Sequence, residues 1–181
     1  MNWKIRRILV TLLFAASLNL LAFAGRPPKP DGELDKLSAF VGHWTLSGEL
    51  KDAATGKPTV KLSSDITCNW SANHGFLLCD QMIHLPDATQ NDFSVYTYSE
   101  KERAYQFFGI TRGNKEARTT RVTIDGNLWT YSSSDTSGGK NVQYRTTNRF
   151  TTASKVEWRS EYSEDGTHWT TTAEGTDARA N

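Results

Sequence analysis

From Trp44 onward the chain is written with a period of two: Thr, Ser, Val, Tyr and Trp dominate, and turn residues interrupt the alternation every dozen or so positions. Such a period puts alternate side chains on opposite faces of an extended strand, so each run presents one face to bury and one to wet. A helical architecture is thereby excluded for most of the chain. Only residues 33–41 carry three- and four-residue spacing, in Leu34, Leu37 and Phe40/Val41, with Asp31 as the expected N-cap.

The alternation resolves into about ten strands, near residues 43–52, 58–70, 76–85, 92–99, 104–112, 117–125, 128–134, 141–150, 154–163 and 167–176. Three hairpins fix expected registers. A two-residue type I′ turn at Asp125-Gly126 pairs Val122 with Trp129 and Thr120 with Tyr131, leaving Ile124, Val122, Trp129 and Tyr131 on one face. A second at Asp165-Gly166 pairs Tyr162 with Trp169 and Trp158 with Ala173, with Glu157, Arg159, Glu161, Thr170, Thr172 and Glu174 opposite. A turn at 99–103 brings Tyr98 to Tyr105 and Tyr96 to Phe107, and Phe93, Val95, Phe108 and Ile110 on the other face suggest a strand pair covered on both sides. Consecutive hairpins without a long crossover favour an up-and-down meander, and a sheet of that length removes its edges by closing. The fold expected is therefore all-β, a single antiparallel up-and-down β-barrel with one short N-terminal helix. A two-sheet sandwich is the alternative the same pattern allows.

The first residues point to export. Lys4, Arg6 and Arg7 precede an apolar run from Ile8 to Leu21, and Ala22 and Ala24 flank a cleavage point before Gly25. An uncleaved anchor is the competing reading, but a spanning helix needs about 20 apolar residues and Ser17 and Asn19 interrupt this run. The expected organisation is a signal peptide over 1–24, a Pro-rich leader over 25–32, a barrel over 33–177 and a tail over 178–181, with a periplasmic or secreted destination. Cleavage removes three of the 21 cations and none of the 20 acids, leaving 18 against 20. A near-neutral domain has no global field for nucleic acid or anionic lipid, and after cleavage no stable membrane anchor is expected.

Cys68 and Cys79 are the only cysteines. Their numbers sum to 147, as do those of Trp70 and Leu77, about a turn centred on Asn73-His74. Hairpin geometry then sets the two sulfurs across from one another, and an oxidising compartment makes a cross-strand disulfide the expectation. A zinc pair is disfavoured because the interval exceeds a CxxC unit and no further ligands group nearby.

Catalytic patterns are sparse. The chain has no GxSxG elbow, no HExxH and no phosphate-binding glycine loop. His43, His74, His84 and His168 are scattered, and no two carboxylates can be argued to share a cavity. The segment 163–169 has the look of a sialidase Asp-box but lacks one spacer residue, so a glycine hairpin accounts for it. Aromatic residues are the richer signal. Trp44, Tyr96, Trp129, Tyr131, Trp158 and Tyr162 are the candidate ligand-binding residues, because inward aromatic faces either fill a barrel or wall a pocket within it.

Phe40-Val41-Gly42-x-Trp44 with Gly48-Glu49 resembles the opening of lipocalin-like and nitrobindin-like barrels. Cys68-Asn69-Trp70, Leu77-Leu78-Cys79, Tyr96-Thr97-Tyr98-Ser99 with Tyr105, Gly126-Asn127-x-Trp129-Thr130-Tyr131, and Ser163-x-Asp165-Gly166-x-x-Trp169 with Glu174-Gly175 extend the likeness to exported members of the DUF1579 family, from about residue 34 to 176. The resemblance implies a calycin-like barrel and carries no activity with it. Nitrobindin-like proteins bind haem through a late histidine, a position only His168 approaches here, without a matching motif. The function expected is non-enzymatic binding of a small, mainly apolar molecule, with no cofactor and no metal. The alternatives are a haem or enzymatic barrel using His43 or His168 at its mouth, and a structural barrel with a filled core.

Overall fold

The computed structural model of the chain describes residues 32–111, 117–137 and 139–180. The expected signal peptide, the proline-rich leader and the Asp31 cap lie outside them. A short 3-10 helix, η1 (Leu34–Phe40), leads into ten strands. These are β1 (Gly42–Lys51), β2 (Pro58–Trp70), β3 (Leu77–Leu85), β4 (Ala88–Ser99), β5 (Ala104–Thr111), β6 (Arg118–Asp125), β7 (Leu128–Ser137), β8 (Lys140–Thr152), β9 (Lys155–Ser163) and β10 (Thr170–Arg179). Each strand pairs antiparallel with its sequence neighbours, and β1 pairs with β10 to close the barrel. The sandwich alternative is thereby excluded. β10 runs to Arg179, so residues 178 and 179, expected in a tail, belong to the wall.

The Cys68–Cys79 disulfide forms between directly paired residues of β2 and β3, and Trp70 faces Leu77 in the same register. The hairpin of β4 and β5 also follows its expected register, Tyr98 with Tyr105 and Tyr96 with Phe107. Its outer face departs from expectation: Phe93, Val95 and Phe108 stay partly exposed and Ile110 is 43% exposed. No described element packs over them, because a closed barrel has a single interior and everything on the opposite parity faces outward.

Two other registers differ from those expected. Val122 pairs with Tyr131 and Ile124 with Trp129, so the β6–β7 turn is Gly126-Asn127 rather than Asp125-Gly126. Gly126 takes the left-handed φ of 57° that the turn requires, while Asn127 is drawn to β8, accepting from Phe150 N and donating from its side chain to Phe150 O, each at 2.9 Å. A turn displaced by one residue changes pairing by two positions, which preserves parity, so the four apolar residues still share the inner face.

On the β9–β10 hairpin Tyr162 pairs with Thr170 and Trp158 with Gly175, not with Trp169 and Ala173. Ser163 and Asp165 hold a wider loop there by accepting from the backbone N–H groups of Gly166, Thr167 and His168. A bulge between Thr171 and Ala173 then resets the register. Thr170, expected on the polar face, is consequently opposite Tyr162.

η1 plugs the barrel end formed by the β2–β3, β4–β5, β6–β7 and β8–β9 turns. Leu37 is fully buried, and the Phe40 ring meets Trp129 edge-on at 4.8 Å, Phe150 at 5.1 Å and Tyr96 at 5.8 Å. The helix is tied from three sides. Trp44 Nε1 donates to Phe40 O at 2.9 Å, the Arg179 guanidinium donates to Val41 O and Ala39 O, and the Tyr105 hydroxyl donates to Glu33. Its Glu33 N-cap position carries no side-chain capping bond, so these tertiary contacts rather than a local cap hold the turn in place.

Candidate functional site

Inward parity and the η1 plug together define a cavity. One end of the barrel is filled with aromatic rings, while the interior toward the opposite, loop-bearing end encloses about 820 Å³. That volume suits a small organic ligand. Its floor is Phe40, Trp44, Tyr96, Phe107 and Tyr131; its middle sets uncharged polar residues such as Gln81, Ser94, Thr146 and Ser160 against the apolar Leu46, Leu62, Ile66 and Ile83; toward the loops stand Asp92, Arg118, Asp135 and Tyr144.

The six aromatic candidates separate into three groups. Trp44, Tyr96, Tyr131 and Trp158 line the cavity. Trp129 is 3% exposed within the plug, packed against Phe40, Tyr105 and Phe150, where it supports the floor from beneath. Tyr162 has inward parity beside Tyr144 but is not part of the cavity lining. Tyr144, on the other hand, reaches the mouth.

Tyr96 and Tyr131 project from β4 and β7 on opposite sides of the floor, and their hydroxyl oxygens lie 3.3 Å apart. Burial, chiefly, pushes Tyr96 up to about 12 and Tyr131 well above its ordinary value. Both phenols therefore remain neutral donor and acceptor groups. The Asp177 carboxyl adds to both shifts, being the charged group they face.

Asp177 is the residue that sequence reasoning missed. It pairs with Leu46 on β1 and Val156 on β9, one inward position from Arg179 opposite Trp44, and so its side chain enters the cavity just above the aromatic floor. The residue is 7% exposed, and Oδ1 has no hydrogen-bond partner. Loss of water raises the carboxyl to about 7, and the neighbouring Trp158 indole N–H opposes that rise. The indole lies close enough to act on the carboxyl electrostatically, yet Nε1 is itself buried without a partner of hydrogen-bonding geometry. One donor and one acceptor are thus left open side by side in the cavity wall. The inward parity of Ala173, Gly175 and Asp177 was the available signal, and it was obscured by ending the strand at residue 176.

The histidines do not enter the cavity. His43 lies on the outer face of β1, 3.0 Å from Thr67 Oγ1 and 3.9 Å from Asp65, and His84 reaches the same Asp65 from β3 at 3.4 Å. His74 stacks on Trp70 in the β2–β3 turn. The His168 side chain is 91% exposed in the β9–β10 loop, with Nδ1 2.6 Å from Asp165; that contact raises the imidazole and lowers the carboxylate. Among the described residues no group of three or more His, Cys, Asp or Glu side chains could hold a metal ion, and no helix is long and apolar enough to cross a membrane. Glu161 and Glu174 lie on the outer wall, paired with Arg145 at 2.7 Å and with Lys51 and Arg159 at 2.5 and 3.3 Å.

No family model matches the chain, and no curated protein matches it in sequence. Solved structures do match in fold. The barrel is similar to the crystal structure of Rv2717c from M. tuberculosis, with a TM-score of 0.59 at 11% identity over 84% of this chain and all of that one. It is also similar to the S-type phycobiliprotein lyase CPES from Guillardia theta, with a TM-score of 0.57 at 11% identity over 81% of this chain and 92% of that one. At such identity the likeness shows a shared barrel fold and nothing beyond it.

Proposed function

We propose that this protein is an exported, non-enzymatic barrel that binds a small, mainly apolar molecule in its interior. The observation that carries the reading is the cavity of about 820 Å³, floored by aromatic rings and opening away from the η1 plug. A structural barrel with a filled core would leave no such space, since interiors pack to the density of organic crystals. Trp44, Tyr96, Tyr131 and Trp158 are the proposed wall of the site. The barrel of a phycobiliprotein lyase supports this reading at the level of fold alone.

Export, and kinship with the exported DUF1579 proteins, belong to the same proposal. Export is supported by the Cys68–Cys79 disulfide, of a kind that persists in oxidising compartments, and by the N-terminal pattern of charged, apolar and small residues; the family reading rests on the sequence resemblance alone. A haem or enzymatic barrel finds no support in the histidines, which lie on the outer wall or in turns.

Saturable quenching of tryptophan fluorescence by members of a panel of apolar probes, fatty acids included, is the expected result, because Trp44 and Trp158 border the cavity. Absence of binding across the panel overturns the reading. Native mass spectrometry of protein purified from its own envelope or medium would show the cargo directly, and the denatured mass would report cleavage before Gly25.

A further inference from the structure

The cavity is apolar at its floor but not indifferent to charge. Among the described residues Asp177 is the one carboxyl near that floor. It is 7% exposed, lines the cavity, and keeps Oδ1 without a partner. Such a group is costly to bury alone, and the cost falls when a donor meets it. Among the described residues no cation fills that role. Arg179, two residues along β10, is committed to the carbonyls of Val41 and Ala39 and lies over the Trp44 ring at 4.4 Å. The lining cations among the described residues, Arg118 and Arg145, stand toward the loop end, and Arg145 is paired with Glu161. Leu46 and Val156 flank Asp177 across the strands, and the polar or π-bearing groups near its carboxyl are Tyr96 on β4, Tyr131 on β7 and Trp158 on β9, with Trp44 one inward position along β1. Aromatic faces and phenol oxygens about a single carboxyl favour a cationic nitrogen and disfavour a carboxylate.

We propose that Asp177 is the polar anchor of the cavity and that the preferred ligand is an apolar molecule ending in a protonated amine, bound amine-first against the aromatic floor. This inference rests on the interior-binding reading above and specifies its ligand class. The apolar remainder of the molecule extends toward the loop end between Ile66, Ile83 and Leu62. Binding transfers no atoms beyond a proton: Asp177 loses one to water when it is protonated in the free protein, and the ammonium takes the place of that proton as the partner of the carboxylate.

The pH dependence has a definite sign. The titratable or hydrogen-bonding groups facing Asp177 are Tyr96 and Tyr131, which stay neutral because burial raises both, and the non-titrating Trp158. The cation beside it on β10 is Arg179, held by the carbonyls of Val41 and Ala39. Asp177 is therefore the group that changes charge below neutral pH, and amine affinity is expected to rise from pH 5 to about 7, where Asp177 titrates, and then to level.

Dodecylamine, dodecanol and dodecanoate, each below its micellar concentration, share one apolar chain and separate the possibilities. The expected result at pH 7.5 is binding of dodecylamine at least about tenfold tighter than of either analogue, as a charge-assisted hydrogen bond implies. Asp177→Asn is expected to remove the preference for dodecylamine over dodecanol, with far-ultraviolet circular dichroism showing that the variant's barrel persists. The wild-type amine-to-alcohol affinity ratio should fall as pH drops from 7 to 5, a readout independent of any substitution. Equal binding of all three probes, or an amine preference that survives Asp177→Asn, overturns the anchor and leaves interior binding standing. Failure of all three to bind the wild type overturns both.

Discussion

Gly48 on β1 stands directly opposite Gly175 on β10 across the seam that closes the barrel, and the Trp158 indole occupies the space that two side chains would fill. A Cβ at Gly48 would lie 2.5 Å from Trp158 Cζ2; one at Gly175 would lie 2.2 Å from Ser47 O, 2.6 Å from Gly48 Cα and 2.8 Å from the same indole carbon. The glycine pair lets a tryptophan lie flat against the wall next to Asp177, so barrel closure and the shape of the cavity depend on the same two missing side chains.

Gly175→Ala is accordingly expected to destabilise the protein by about 1–3 kcal/mol, the range for overpacking a well-filled site. Ser47 O is backbone and cannot move aside without parting the β1–β10 ladder. Urea unfolding followed by far-ultraviolet circular dichroism measures the loss. An unchanged midpoint would mean that the seam has slack that these distances deny.

Asp177 contributes an unusual slope to stability. Its folded-state carboxyl is raised from 3.8 to about 7, so between those values the native state holds more protons than the unfolded chain. Stability from this group is thus full below about pH 4 and lost as pH rises toward 7, by at most about 4 kcal/mol. Glu33, Asp52, Asp165 and Glu174 are shifted the other way by hydrogen bonds and contribute on the acid side, where stability falls as pH falls. Subtracting the Asp177→Asn profile from the wild-type profile isolates the carboxyl. The variant should gain on the wild type between pH 5 and pH 8 in urea midpoints, and parallel profiles would contradict the assigned burial.

Reduction of the Cys68–Cys79 bridge, or replacement of both residues by alanine, should cost about 2–4 kcal/mol through release of a short loop in the unfolded chain. The comparison to make is the urea midpoint with and without reductant, with the double alanine variant insensitive to it. β2 and β3 remain paired from Ser63 to Trp70, so the barrel should persist, with the η1 end loosened most.

The hydroxyl of Tyr105 secures η1 to β5 through Glu33. Tyr105→Phe keeps the ring against Trp129 and removes only this tie. Amide hydrogen exchange over Leu34–Phe40 should accelerate about two- to tenfold while exchange in β7 and β8 is unchanged. Equal acceleration everywhere would show global destabilisation instead of local release of the plug.

Period-two alternation was sufficient for the fold because it depends on which face a side chain takes, and that survives errors of turn placement. The β6–β7 turn falls one residue later than its Asp-Gly pair suggests, yet Val122, Ile124, Trp129 and Tyr131 still point inward. The same insensitivity hid the site. On β10 the wide Ser163–Asp165 loop and the bulge before Ala173 change the partners of Tyr162 and Trp158 and carry the strand on to Arg179, bringing in an aspartate that the sequence placed at the strand's fringe.

By itself the sequence determined the local matters: ten strands in meander order, an inward aromatic parity, and a cysteine pair related by one hairpin. These depend on neighbours within a few residues or across one turn. Closure and volume depend on residues far apart in the chain. Only the tertiary structure decided that Phe40 and Trp129 fill one end, that Gly48 and Gly175 make room for Trp158, and that Asp177 is buried near Tyr96 and Tyr131 with its Oδ1 unpartnered. Whether an aromatic interior is full or hollow is a difference between summed side-chain volume and the space a closed wall encloses, and that difference has no local signature.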